Sequence, residues 1–304
     1  MFRNLIFWLS NKKWFTNPIA RTGMRLGFAK RFIAGETLED ALSAAAALEA
    51  RGMLTMLNRL GEYVNDRREA EGIYENYIKM LDELAARKLA GTISIKPTQL
   101  GLLFDPALCR DLALRVVAHA ASLSKFCEVD MEDSASVDPT LELFEALRRK
   151  HENTGLAVQS YLYRSKKDLE RLKLLRPKIR LVKGAYLEPA SVAFPKKRDV
   201  DENYRKLTRM LFSDSFSPAI GTHDPNMIDY AKQVAREQGF GSDRFEFQMI
   251  YCVRRDLQDQ LQKEGYQMRV YIPFGTEWLP YFMRRLAERP ANMWFVAKAM
   301  LLCR

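Results

Sequence analysis

The sequence predicts an α/β protein that folds as a (β/α)8 barrel of the TIM type, and three observations support this prediction. Eight short runs with the composition of β-strands recur along the chain, and helical patterns separate them. The 175 residues from Lys96 to Tyr271 cover six of these repeats, so each takes about 29 residues, roughly what a strand and its crossover helix need. No linker rich in glycine or serine divides the 304 residues, so the repeats form one undivided barrel.

The predicted strands are short apolar or alternating runs. They lie at 53–58, 92–96, 126–130, 156–160, 179–183, 219–222, 245–249 and 268–272. Helices are predicted between them at 74–88, 102–123, 140–150, 201–212 and 226–238. In the third helix we predict Asp138 as the N-cap and Pro139 as the first helical residue, because aspartate accepts from free backbone N–H groups and proline suits that position.

The two ends of the chain receive separate predictions. Residues 1–36 are interpreted as a basic, aromatic and amphipathic N-terminal helical arm, and residues 37–304 as the barrel, with a final helix at 276–289 over its mouth. The arm has two interpretations: a helix packed on the barrel, or an anchor on a membrane surface with Lys12 and Lys13 facing anionic lipid. No apolar run approaches the ~18 residues needed to span a bilayer.

Composition and charge exclude several classes of protein. With 47% hydrophobic and 28% charged residues, the chain is neither disordered nor collagen-like. The 4 cysteines form no CxxC pair and there are 3 histidines, so we predict no metal site and a reducing compartment. The net charge of +10 favours an anionic partner, whether nucleic acid, membrane lipid or a charged ligand. Basic residues do not cluster with interleaved aromatics, so we predict no nucleic-acid partner.

Most of the predicted strands end in residues that could take part in a reaction or bind a ligand. In chain order these residues are Lys96, Asp130, Met131, Gln159, Arg180, Lys183, Gly184, Thr222, His223, Gln248 and Tyr271. Each polar one taken alone could be a solvated residue at a strand edge. Seven of the eight strands end this way, however, and active sites of such barrels lie at the C-terminal strand ends. We therefore predict an active site in the barrel mouth.

The predicted final helix presents one charged face. Tyr281, Arg284, Arg285 and Glu288 share that face because they are spaced at i, i+3, i+4 and i+7. The face could be solvated, or the adjacent arginines could bind a carboxylate or phosphate through their forked donors. Neither GxGxxG nor GxxxxGK[ST] occurs, so a dinucleotide bound here would not use a Rossmann crevice.

Seven segments resemble the proline dehydrogenase family in its short monofunctional bacterial form. They are ISIKPTQLGL (93–102), EVDMEDSASVDPTLELF (128–144), VQSYLYR (158–164), RLVKGAYLEP (180–189), THD (222–224), FEFQMIY (245–251) and YIPFGTEWLPYFMRRLAERPAN (271–292). They follow the family's order across about 200 residues. The resemblance implies a distorted (β/α)8 barrel that holds FAD without a covalent bond.

The resemblance also implies a reaction and its partners. The reaction is oxidation of L-proline to Δ1-pyrroline-5-carboxylate by hydride transfer to flavin N5, after which electrons pass to a membrane quinone. A separate pyrroline-5-carboxylate dehydrogenase is a candidate partner for the product. We expect a cytoplasmic location, either free or peripheral on an anionic surface at the inner face of the cytoplasmic membrane.

Residue roles follow from the same resemblance. The proline carboxylate would be held by Lys96, Arg284 and Arg285, and the proline ring would be enclosed by Tyr186, Tyr271 and Tyr281. Asp130 and Arg180 match the catalytic centre, with Arg180 near flavin N5. Positions that match flavin contacts are Met131, Gln159, Arg180, Lys183, Gly184, Ala185, Thr222, His223 and Gln248. Glu62 matches an acid that pairs with Arg285 and closes the site.

Two other functions stay open from the sequence. A relative of this family could oxidise another cyclic amino acid or a prolyl-like intermediate of secondary metabolism. A basic protein without flavin that binds membrane or nucleic acid is the alternative of another class, and the net charge of +10 is its only support.

Overall fold

The structure, a computed structural model, describes residues 33–279. Within this range eight parallel strands close into a barrel in chain order, and the last strand pairs with the first. They are β1 (Leu54–Arg59), β2 (Thr92–Ile95), β3 (Cys127–Val129), β4 (Thr154–Gln159), β5 (Lys178–Val182), β6 (Ser217–Gly221), β7 (Glu246–Ile250) and β8 (Gln267–Phe274). The predicted barrel is confirmed, and the ends of every predicted strand lie within two residues of those observed.

Helices alternate with these strands in the described part of the chain. They are α1 (Leu38–Glu49), α2 (Arg67–Ala86), α3 (Pro106–Ser122), α4 (Val137–Arg148), α5 (Ser165–Leu172), α6 (Lys197–Leu211), α7 (Pro225–Glu237) and α8 (Arg255–Lys263). The five predicted helices are present as α2, α3, α4, α6 and α7. The sequence did not predict α1, α5 and α8, of which α5 and α8 are only 8 and 9 residues long.

The predicted start of α4 was wrong. Asp133 accepts a hydrogen bond from the backbone N–H of Ser136 and begins a 3-10 turn that leads directly into the helix. The helix therefore starts at Val137, and Asp138 lies inside it instead of at the cap. The Asp138 carboxylate pairs with Arg164, whose Nη1 lies 2.9 Å from Oδ2.

The strands read as apolar runs because both of their faces are covered. Every residue of β2 and of β4 is buried, as expected for parallel strands with helices outside and a filled interior. The outer layer packs through helix stripes such as the one on α2, where Tyr77, Leu81 and Leu84 are fully buried. Burial of this kind supplies the main driving force for folding.

Charged side chains occupy part of the barrel interior. Near the N-terminal strand ends, Arg269 Nε lies 2.8 Å from Glu246 Oε1. Gln248 donates to Glu246 at 2.7 Å and to Glu128 at 3.3 Å, and Glu128 lies 2.8 Å from Arg180 Nε. These ion pairs and hydrogen bonds connect the N-terminal end of the barrel with Arg180, one of the predicted site residues.

The predicted end segments fall largely outside the described residues. The predicted arm, residues 1–36, is described only at 33–36, and the predicted final helix, 276–289, only up to 279. No helix within 33–279 is long and apolar enough to cross a membrane.

Candidate active site

Asp130 is the centre of the polar cluster in the barrel mouth. It follows β3, and its carboxylate accepts a hydrogen bond from Tyr271 of β8 at 2.8 Å. Lys96, which follows β2, places Nζ 3.2 Å from Asp130 Oδ2, and Arg180 of β5 donates to Oδ1. Four strands thus bring together four of the residues that the sequence singled out.

Electrostatics fix the charge of this cluster. Burial would raise the pKa of Asp130, but the nearby cations Lys96 and Arg180 outweigh it and hold that pKa far below its usual range. Burial opposes the charge of Lys96 in turn, yet the acidic groups around it, Tyr186 and Asp130 first, raise the Lys96 pKa well above its ordinary value. The site therefore holds a carboxylate and an ammonium that stay ionised at neutral pH.

Four side chains surround the guanidinium of Arg180. Besides Asp130, its guanidinium pairs with Glu128 and approaches the sulfur of Met56 at 3.6 Å. The guanidinium also lies over the ring of Tyr271, 5.1 Å from its centroid. Glu128 is fully buried and was not among the predicted site residues. Alternation along the predicted strand was the available signal, because residues two apart on a strand share a face and Glu128 precedes Asp130 by two.

Glu62 lies at the rim of the same cluster. It follows β1 and places Oε1 3.6 Å from Lys96 Nζ, and the Tyr186 hydroxyl donates to the same oxygen at 3.0 Å. Gly61 and Tyr63 on either side have positive φ values of 134° and 57°, so the chain turns sharply at this acid. The structure thus brings Glu62, Lys96 and Tyr186 together.

Three of the predicted substrate contacts fall outside the described residues. Tyr281, Arg284 and Arg285 lie outside residues 33–279. The described cluster contains more carboxylates, at Glu62, Glu128 and Asp130, than cations. A substrate carboxylate bound here would therefore need further positive charge.

Two glutamine side chains, those of Gln159 and Gln248, are left with unused acceptors. Gln159, at the end of β4, donates to the carbonyls of Met131 and Glu132 at 3.2 and 3.1 Å, and Gln248 donates to Glu246. The Oε1 atoms of Gln159 and Gln248 are buried and accept no hydrogen bond from the described residues. Buried acceptors of this kind call for a donor from a ligand or from water.

The ends of β6 and β7 are joined by His223. The backbone N–H of Ile250 donates to His223 Nε2 at 2.9 Å, so Nε2 is an acceptor and the neutral ring carries its proton on Nδ1. The neighbouring Thr222 is buried and donates its backbone N–H to the carbonyl of Gln248 at 3.2 Å. These contacts hold two predicted flavin residues at one edge of the mouth.

The loop after β5 carries Lys183, Gly184 and Ala185. Lys183 Nζ lies 2.5 Å from Asp201 and 2.7 Å from Asp224, so its charge is already matched. Gly184 has φ +116°, and a Cβ atom at this position would lie 2.3 Å from the ring of Tyr161. Glycine is therefore required at position 184, both by the positive φ and by the closeness of the Tyr161 ring.

These residues fit a flavin. The mouth combines the cation of Arg180, the unused acceptors of Gln159 and Gln248, and the imidazole of His223. An isoalloxazine with its ribityl chain presents N–H and O–H donors for such acceptors, together with carbonyl oxygens and ring nitrogens for cations and N–H donors. Met131, which follows β3 and is 8% exposed, adds an apolar side chain.

The family model described as "Proline dehydrogenase" matches residues 41–298. The chain is 41% identical over 299 residues to proline dehydrogenase 2 of Bacillus subtilis strain 168, with 98% of each chain covered. It is 44% identical over 279 residues to a proline dehydrogenase of Deinococcus radiodurans, with 90% of each covered.

A solved structure with the same fold is the proline utilization A protein (PutA) of Bdellovibrio bacteriovorus inactivated by N-propargylglycine. The TM-score is 0.81 at 24% identity, and the match covers 86% of this chain and 32% of that chain. At this identity the likeness supports the barrel fold alone.

Proposed function

The chain belongs to the proline dehydrogenase family, and we propose that it oxidises L-proline to Δ1-pyrroline-5-carboxylate with FAD in the barrel mouth and a membrane quinone as electron acceptor. The observation that carries the proposal is the buried cluster in which Lys96 and Arg180 flank Asp130. With the further positive charge of Arg284 and Arg285, such a cluster would hold Lys96 as an ordered cation for a small carboxylate, near the unused acceptors of Gln159 and Gln248.

Bound FAD would supply the acceptor for the electron pair that leaves proline, a step that no side chain can perform. Gln159, Gln248, Thr222, His223 and the loop of Lys183 would hold it. Met131, Gly184 and Ala185 complete this proposed set, and Arg180 would face the flavin ring. Arg180 is suited to this place because Glu128 and Asp130 fix its guanidinium before any ligand arrives.

The substrate would be oriented by its carboxylate. Lys96 would contact it together with Arg284 and Arg285, while Tyr186, Tyr271 and Tyr281 would pack against the ring. The low pKa of Asp130 makes it a poor proton acceptor at neutral pH. We therefore assign Asp130 the task of fixing Lys96 and Arg180 in the catalytic centre.

Glu62 would close the site. Its carboxylate already contacts Lys96 and Tyr186, and Arg285 would complete the closure by bridging Glu62 and the substrate carboxylate. Closure of this kind keeps water away from the reacting atoms.

Turnover assays test the proposed reaction. Purified protein with FAD should reduce a soluble quinone when L-proline is added and release Δ1-pyrroline-5-carboxylate, which o-aminobenzaldehyde traps as a coloured adduct. Proline should exceed hydroxyproline and pipecolate in kcat/KM, and the reverse order would favour the relative that oxidises another cyclic amino acid. We also expect inactivation by N-propargylglycine, as occurs in the PutA of Bdellovibrio bacteriovorus.

A membrane surface is the proposed source of the quinone. We expect salt-sensitive binding to anionic vesicles and weaker binding after deletion of residues 2–15, because the +10 charge and the predicted basic arm favour anionic lipid. Equal binding to neutral and anionic vesicles would argue against this partner. The product would then pass to a separate pyrroline-5-carboxylate dehydrogenase, and we propose no nucleic-acid partner.

A further inference from the structure

Glu132 is a fully buried acid just behind the active-site cluster. It lies two residues after Asp130, and one residue, Thr98, occupies both of its oxygens. The backbone N–H of Thr98 donates to Oε2 at 2.9 Å, and the Thr98 hydroxyl donates to Oε1 at 2.7 Å. The carboxylate thereby fixes both the backbone and the side chain of Thr98.

Thr98 in turn holds the turn that carries Glu62. The backbone N–H of Tyr63 donates to Thr98 Oγ1 at 3.2 Å, and the backbone N–H of Val64 donates to the Thr98 carbonyl at 3.1 Å. Tyr63 has φ +57°, a conformation that a tyrosine adopts only when its surroundings enforce it. Thr98 therefore supplies part of the force that keeps Glu62 turned toward Lys96.

We propose that Glu132, acting through Thr98, is a positioning residue that holds Glu62 in place for binding of the substrate. The inference rests on the proposed function of Glu62 in closing the site. Both oxygens of the Glu132 carboxylate are taken by Thr98, so we assign Glu132 no contact with the substrate or the cofactor. Glu132 acts on the backbone of 63–64 through Thr98, and its charge also acts directly on Lys96. Thr98→Val separates the two effects, because it weakens the first and leaves the charge of Glu132 in place.

The charge of Glu132 is costly to the fold, which argues for a role other than stability. The pKa of Glu132 is raised to about 7, because burial and, to a smaller extent, the charge of Glu62 outweigh the lowering by Lys96 and the Thr98 hydrogen bonds. Tyr63 and Cys109 also face this carboxylate from the loop after β1 and from α3. An acidic group that stays buried although burial disfavours its charged form is commonly retained for function.

The raised pKa of Glu132 determines the direction in which pH changes the stability of the protein. The folded-state pKa of about 7 lies above the ordinary value of 4.5, so the folded protein loses stability as pH rises from 4.5 through 7. Glu132→Gln cannot ionise and should escape this loss. Its side chain, however, offers one acceptor oxygen where the carboxylate offers two, so its grip on Thr98 is weaker.

The test uses the FAD-loaded protein and three variants. Glu132→Gln and Thr98→Val each remove part of the route through Thr98. Glu49→Gln is the matched control, because Glu49 also accepts from a hydroxyl and a backbone N–H, those of Thr55 and Ala90 at 2.6 and 2.7 Å. That contact lies at the N-terminal end of β1, away from the barrel mouth.

We expect Glu132→Gln to raise the proline KM about fivefold or more with kcat within twofold, and to speed amide hydrogen exchange in residues 59–66. Its Tm should rise relative to the parent at pH 8 more than at pH 5. Thr98→Val should raise KM and speed exchange as much as Glu132→Gln does, but without the pH-dependent gain in Tm. The effects of the two substitutions on KM should be less than additive in the double variant. Glu49→Gln should leave KM and exchange at 59–66 unchanged.

Unchanged KM and exchange in both Glu132→Gln and Thr98→Val would overturn the inference. If Glu132→Gln does not fold, Thr98→Val alone decides by the same two readouts. A parent protein that binds no flavin and oxidises no proline would refute the proposed function instead. The exchange comparison would still show whether Glu132 holds the Glu62 turn.

Discussion

Tyr271 and Asp130 meet across the barrel mouth, where the tyrosine hydroxyl donates to Asp130 Oδ2 at 2.8 Å. The two residues come from β8 and from the end of β3, which closure of the barrel brings to the same level. The Tyr271 ring lies under the guanidinium of Arg180 at 5.1 Å. Tyr271 therefore supports both the anion and the cation of the central pair.

Substitutions at these two residues should differ in cost. Tyr271→Phe keeps the ring under Arg180 and loses one hydrogen bond to a charged acceptor, so we expect it to lower the free energy of unfolding by about 1–3 kcal/mol. Asp130→Ala leaves Lys96 and Arg180 without their shared carboxylate and should cost about 3–5 kcal/mol. Urea unfolding measures both, and equal losses would show that Asp130 is not the centre of the cluster.

The proposed closure predicts a coupling between Glu62 and Arg285. Glu62→Ala should leave folding and flavin content nearly intact and lower kcat/KM for proline roughly tenfold, about 1.4 kcal/mol. Arg285→Ala should lower it further because the substrate contact is lost as well. The double variant should be less than additive, since both changes remove one shared contact. Strict additivity would show that the two residues do not meet.

The addition of one methyl group at Gly184 should lower stability strongly. Gly184→Ala faces both φ +116° and the ring of Tyr161, so we expect a stability loss of about 2–4 kcal/mol and weaker flavin binding. Gly239 is the matched control, because its φ is also positive at 69° but nothing lies within 4 Å of a Cβ there. Gly239→Ala should cost only about 1 kcal/mol. Similar losses in thermal unfolding would mean that the contact with Tyr161 is easily relieved.

Acid should weaken the ion cluster near the N-terminal strand ends. Burial would raise the pKa of Glu246, but Arg269 and Lys178 hold it far below the ordinary value of 4.5. Its stabilising contribution is thus present above about pH 4.5 and is lost as pH falls toward the folded-state value. The stability gap between the parent and Glu246→Gln should narrow as pH falls from 5 to 3. A gap that stays constant would contradict this assignment.

The fold was predictable because the strands carry a local signal. Each crossover helix sets the number of residues between two successive strands, and the strands are apolar because helices cover them. The eight strands and their order could therefore be predicted from the sequence. The helices α5 and α8 were missed because a short amphipathic helix leaves little periodicity. The cap at Asp138 was wrong because Asp133, further upstream, begins the 3-10 turn that fixes the helix start.

Two signals led to the predicted site residues: the ends of the predicted strands, and the resemblance to a family, which pointed to Glu62 and Tyr186. Lys96 and Asp130 follow β2 and β3 directly, as the first of these signals requires, whereas Arg180 and Tyr271 lie within β5 and β8 and reach the same cluster through their side chains. Glu128 and Glu132 were not predicted as site residues, because a charged residue within or just after a strand gives no sign of which partner it will meet. Their partners, Arg180 and Thr98, are remote in sequence and become neighbours only when the barrel closes.

Anaerobic addition of L-proline to the purified, FAD-loaded protein tests the central claim most directly. We predict that the flavin absorbance bands bleach in proportion to the proline added and recover when a quinone is supplied. Arg284→Met should need roughly 30- to 1000-fold more proline for the same bleaching, because a charge-assisted contact of about 2–4 kcal/mol is lost. Protein that cannot be loaded with FAD, or whose bound flavin stays oxidised in excess proline, would contradict the account.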